Sequence, residues 1–78
     1  MKPDFAIRGC AESLVDADVD ALVAIATPHL EDRRLRALLV RDKNQVEILI
    51  EGLGAGTSIE ARRIDGVWTQ KSRSDFKT

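Results

Sequence analysis

Three carboxylates at alternate positions, Asp16, Asp18 and Asp20, have the spacing of the first ligands of a calcium loop, where oxygens at positions one, three and five converge on the ion. Such a loop also needs glycine at its sixth position and a bidentate glutamate at its twelfth. Ala21 and Thr27 stand there instead, so the carboxylates read as helix-capping and solvated groups. Gly52-Leu53-Gly54-Ala55-Gly56 offers the bare backbone of a phosphate-cradling loop. A β-branched stretch follows it in place of a helix, and no lysine–serine pair is near, which favours a plain hairpin loop. Cys10 and His29 could act as nucleophile and base, but no third residue presents itself to orient the base. One cysteine and one histidine also make no metal-ligand set. No catalytic residue, metal or cofactor is therefore assigned.

The cations make the strongest case for a polymeric ligand. Arg33, Arg34 and Arg36, with Arg62 and Arg63, are candidate nucleic-acid contacts, because neutralising phosphates requires clustered positive charge. Against this stand a pI near 5.7, the interleaved acids Glu47, Glu51, Glu60 and Asp65, and only three aromatics for base stacking. Nucleic acid is not the expected partner, and Arg63 is expected to lie across Trp68 as a cation–π pair.

These residues need elements to position them. Ile7, Cys10, Ala11 and Leu14 fall at i, i+3, i+4 and i+7, predicting a first helix within Phe5 to Val15 with Cys10 on its apolar stripe. Asp18 is the expected N-cap of a second helix carrying Val19, Leu22, Val23 and Ala26, which Pro28 ends, leaving His29 as an exposed boundary residue. Residues His29 to Asp42 favour a third helix over a strand through Leu35 to Arg41. Four unbranched leucines and acids preceding bases support the helix.

Beyond Asn44 alternation takes over. Val46, Ile48 and Ile50 oppose Glu47, Leu49 and Glu51 in a half-buried strand, a second strand covers Thr57 to Ile64, and Asp65-Gly66 suits a type I′ turn into a third strand from Val67 to about Arg73. The turn sets the register: Ile64 faces Val67, Arg63 faces Trp68, Arg62 faces Thr69, Ala61 faces Gln70, Glu60 faces Lys71 and Ile59 faces Ser72. That register puts Arg73 on the polar face. Ser74 to Thr78 reads as a frayed tail. The expected fold is α+β, with two or three N-terminal helices on one face of a three-stranded antiparallel C-terminal meander. Helices pack against Trp68, Ile59 and Ile48.

With 78 residues, 44% hydrophobic and 32% charged, the chain makes one domain, 1–78. A domain of this size buries about 60–65% of the surface its unfolded chain exposes. Lone Cys10 and lone His29 remove disulfides and structural metal as staples, leaving oligomerisation. A single cysteine also suggests a reducing, cytoplasmic setting. The longest apolar run, Ala21 to Ala26, falls far short of the roughly 20 residues a membrane span needs, and no signal-peptide pattern opens the chain. The net charge of -1 conceals an acidic first part, with two basic and seven acidic residues up to Asp32, and a basic remainder with ten basic and six acidic. Such halves can attract each other within one fold or between two copies.

The stretch Ala17-Asp18-Val19-Asp20-Ala21-Leu22-Val23-Ala24-Ile25-Ala26-Thr27-Pro28 resembles the helix break and second helix of the nuclear-transport-factor-like superfamily, the cone-shaped fold that includes ketosteroid isomerase. Ala61-Arg62-Arg63-Ile64-Asp65-Gly66-Val67-Trp68 is similar to that fold's last hairpin. The chain is much shorter than the usual member and has no tyrosine and no second histidine, so no catalytic site carries over. The resemblance implies a sheet that dimerises and a small apolar pocket between helices and sheet, here lined by Leu22, Ile48, Ile59 and Trp68. The expected function is a non-enzymatic binding or protein-interaction module acting as a homodimer. The rivals are a small ketosteroid-isomerase-like enzyme or apolar-ligand binder, with Asp16, Asp18 or Asp20 as base, and a regulator touching nucleic acid through the five arginines.

Overall fold

A computed structural model describes residues 5–30, 33–52 and 54–76. It contains one α-helix, α1 (Asp16–Leu30), and five strands, β1 (Ala6–Gly9), β2 (Arg34–Asp42), β3 (Gln45–Gly52), β4 (Ala55–Ile64) and β5 (Val67–Phe76). A short 3-10 turn, Ala11–Ser13, precedes the helix. The strands form one mixed sheet in sequence order, β1 parallel to β2 and all other neighbours antiparallel. The expected two or three helices on a three-stranded antiparallel sheet are thereby replaced by a single helix on a five-stranded mixed one.

Each replacement has a physical cause. In the first predicted helix, residues Ala6–Gly9 instead pair with Ala37–Val40. Gly9 adopts φ +85°, and a Cβ there would collide with the Val40 carbonyl oxygen, while the Cys10 N–H donates to that same oxygen at 3.0 Å. Gly9→Ala should therefore destabilise the fold by about 1–3 kcal/mol, read as a lower urea midpoint at unchanged slope. Cys10 is exposed and lies outside any helical stripe.

The third predicted helix is β2. Register shifts at Arg36 and Arg41 insert one extra residue each, so Leu35, Leu38 and Val40 reach the helix-covered face at spacings of three and two. That mixture imitates a helical pattern although the backbone is extended. Glu31 and Asp32 lie outside the described residues.

The middle of the chain follows its sequence more closely. α1 begins at Asp16, two residues ahead of the expected cap, with Val15 accepting the first helical hydrogen bonds from Asp18 and Val19. Asp18 is the third helical residue, and its Oδ2 accepts from the Val15 backbone N–H at 3.1 Å, one half of a capping box. The helix runs without a break through the stretch likened to the nuclear-transport-factor-like fold, and through Pro28 to Leu30. A proline in the last turn costs one hydrogen bond, to the carbonyl of Ala24, which faces solvent. Asp18, Leu22 and Ala26, four residues apart, are the buried side chains of α1.

The core lies between α1 and one sheet face. Leu22, Leu38, Val46, Ile48, Ile50, Ile59 and Ala61 are fully buried, and Trp68 is 8% exposed. The hairpin turn is as expected, with Asp65 at φ 51° and Gly66 at φ 79°. Its register holds from Ile64–Val67 to Ala61–Gln70. Then Lys71 is bulged out, so Glu60 faces Ser72 and Ile59 faces Arg73. Arg73 consequently sits on the helix side, opposite to its expected face. β5 continues to Phe76, pairing Ser74–Phe76 with Ser58–Gly56 where a frayed tail was expected; Lys77 and Thr78 lie outside the described residues. No helix among the described residues is long and apolar enough to cross a membrane.

Candidate functional site

Two polar clusters join α1 to the sheet. At the start of the helix, Asp18 Oδ1 accepts from the Trp68 indole N–H at 3.1 Å and from Arg63 Nη1 at 3.0 Å. The Arg63 guanidinium lies 5.2 Å from the Trp68 ring centre, the cation–π pair expected from the hairpin register. Arg63 also donates to Asn44 Oδ1 at 3.3 Å and to the Lys43 carbonyl, tying the β2–β3 turn to β4. The Trp68 N–H is the main influence holding Asp18 below the ordinary carboxylate range, with Val15 and Arg63 assisting against the upward push of burial. Through these bonds Asp18 ties the start of α1 to β4 and β5.

The second cluster exists because of the bulge at Lys71. Arg73 Nη1 approaches His29 Nδ1 at 3.0 Å, and His29 Nε2 lies 2.9 Å from Gln70 Oε1. A guanidinium only donates, so Nδ1 accepts and Nε2 carries the proton given to Gln70. Arg73 Nε and the Thr57 hydroxyl both donate to Asp75 Oδ1, at 3.2 and 2.7 Å. The fully buried Thr57 in turn accepts from Arg33 Nη1 at 2.6 Å, and Arg33 Nη2 closes the end of α1 by donating to the His29 carbonyl at 2.7 Å. Gly52 makes this reach feasible, since a Cβ there would strike the Arg33 stem. Thr57 leads the influences that lower the Asp75 carboxyl, followed by Arg73 after the opposing effect of burial. Nothing in the sequence singles out Thr57, Gln70 or Asp75, because the polar run along β5 has no alternation from which a bulge could be read.

The opposite face of the sheet is uncovered by α1. Register places Ala6, Arg8, Ala37, Leu39, Glu47, Leu49 and Glu60 together on it. At its middle Ala37 is only 5% exposed and Leu39 and Leu49 are half-buried. Around this apolar centre the charges are unevenly divided between the strands. β1 and β2 carry mostly cations, Arg8, Arg36 and Arg41 against Asp42, whereas β3 and β4 carry mostly carboxylates, Glu47, Glu51 and Glu60 against Arg62. Arg36–Glu51 at 3.7 Å and Arg41–Glu47 at 3.6 Å bridge the boundary, and Arg62 meets Glu60 at 3.2 Å. Both arginines at the boundary are the extra residues of the β2 bulges.

The structure brings Leu22, Ile48, Ile59 and Trp68 together as closely packed core. Three surface clefts among the described residues are lined by other residues. The five arginines are dispersed: Arg33 and Arg63 are engaged at opposite ends of the helix side, Arg36 and Arg62 are ion-paired on the open face, and Arg34 is exposed at the start of β2. Asp16 and Asp20 are exposed on α1, and no group of three or more metal-ligating side chains occurs among the described residues. No protein-family model matches the chain, and no curated protein or solved structure shows significant similarity to it.

Proposed function

We propose that this chain is a small non-enzymatic protein-interaction module that acts as a homodimer, with the second copy seated on the sheet face opposite α1. The observation that carries this reading is the uneven division of charge around an apolar centre on that face. A two-fold axis lying between two stacked sheets, parallel to their strands, brings β1–β2 of one copy over β3–β4 of the other. The arginines of each copy then meet the glutamates of its mate on both sides of the axis, with Leu39 and Leu49 between them. A domain this small gains from covering its second face, since one helix alone supplies a limited core.

Sedimentation equilibrium tests the reading. The wild-type chain should be a dimer at micromolar concentration, weakened by added salt as the charge strips are screened. Leu49→Lys, at the centre of the patch, should raise the dissociation constant by more than about tenfold while leaving the circular dichroism unchanged. A wild-type monomer at about 100 µM, or a dimer indifferent to Leu49→Lys, would overturn it.

A further inference from the structure

The β2–β3 turn and the β4–β5 hairpin border an open cleft of about 540 Å³ at one end of the sheet, within the roughly 300–1,000 Å³ range of small-molecule sites. Its lining carries four cations, Lys43, Arg62, Arg63 and Lys71, against one carboxylate, Asp42. That carboxylate is already committed, its Oδ1 accepting from the Asn44 backbone N–H at 2.7 Å. Arg63 is paired with Asp18 and Arg62 with Glu60, whereas Lys43 and Lys71 form no ion pair among the described residues. The two ammonium groups come from different walls, Lys43 from the β2–β3 turn and Lys71 from the bulge in β5. The walls are held together beforehand: the Arg63 N–H donates to the Asn44 carbonyl at 2.8 Å, and its side chain grips Lys43 and Asn44 from below.

We infer that this cleft is a binding site for a small phosphorylated anion, in which Lys43 and Lys71 neutralise the phosphate charge and Arg62 assists. A compact multiply charged anion suits two lysines contributed by different walls of one cleft better than a nucleic-acid backbone does. A backbone needs a continuous track of cations, and elsewhere on the open face Arg36 and Arg41 are each matched by a glutamate. The site lies beyond the apolar centre of that face and does not depend on the chain being a dimer.

Pyrophosphate is the probe, titrated into the full ¹⁵N-labelled chain. Saturable amide shifts are expected in Asp42–Gln45 and Arg62–Lys71, with little change in β1 or in the last turn of α1. The double substitution Lys43→Gln/Lys71→Gln, at two exposed positions, should weaken binding at least about tenfold with an unchanged spectrum elsewhere, and Lys43→Arg/Lys71→Arg should restore it. Absence of saturable shifts at about 10 mM pyrophosphate overturns the proposal. So does equal binding by the glutamine variant, or binding of a duplex oligonucleotide without any response to pyrophosphate.

Discussion

Replacing Trp68 with alanine should cost about 3–5 kcal/mol, enough to leave much of a domain this size unfolded at room temperature. Three losses coincide at that position. The indole is 8% exposed and packs in the main cluster with Leu22, Ile48 and Ile59, so truncation opens a cavity. Asp18 loses the hydrogen bond that does most to keep its carboxyl ionised. Arg63 loses the ring beneath its guanidinium. Urea unfolding followed by circular dichroism measures the total, and Trp68→Phe separates its parts. Phenylalanine retains most of the packing but donates no hydrogen bond, so it should recover more than half of the loss. A cost below about 1 kcal/mol for Trp68→Ala would place the indole outside the energetic core.

Asp18→Ala should be nearly as damaging, at about 3 kcal/mol, because it leaves Arg63 without its counter-charge and both the Trp68 and Val15 N–H groups without an acceptor. The side chain of Arg63 is 24% exposed, so water recovers part of that loss. The acid dependence follows from the direction of the shift. A carboxyl whose folded-state pKa is depressed takes up its proton more readily in the unfolded chain. Its contribution is thus fully present above the ordinary carboxylate range and disappears as pH falls through the lowered folded value. Asp75 acts with the same sign. The wild-type urea midpoint should decline steeply below about pH 4, and Asp18→Asn should flatten part of that decline. Identical slopes for the two chains would show that Asp18 carries no such linkage.

The helix and the last three strands were legible because short-range signals determine them. Asp65-Gly66 admits few conformations other than a tight hairpin, and from it the register could be counted correctly as far as Ala61–Gln70. Residues Val46 to Glu51 alternate cleanly because each inward position is buried against α1 and each outward one is not. β1 could not be read this way. It is a four-residue edge strand whose partners, Ala37–Val40, lie 31 positions along the chain, so its hydrogen bonds leave no local trace.

In β2 the two bulges displaced the apolar residues from the two-residue period, and leucine content then argued for a helix. The polar network around His29 was hidden for the same reason. A single extra residue at Lys71 turns Arg73 and Asp75 to the other face, and no side chain in that stretch is apolar enough to reveal the change. The spacing marks Asp18 as part of a helix start, but its role as an acceptor for Trp68, 50 residues away, depends on tertiary packing alone.

The bulge at Lys71 has a bearing on how copies of this chain can meet. β5 is a ten-residue edge strand, and nine of its residues are exposed. A straight edge of that length is an open template for another strand, with unpaired amides and carbonyls ready to extend the sheet from one molecule to the next. Lys71 interrupts the regular spacing of those groups near the middle of the strand, and Lys71, Arg73 and Asp75 surround it with charge that an incoming edge would have to desolvate. Growth by sideways addition is discouraged, and with it the open-ended assembly that leads to fibres. The proposed association through the flat of the sheet would close after two copies and leave that guarded rim untouched.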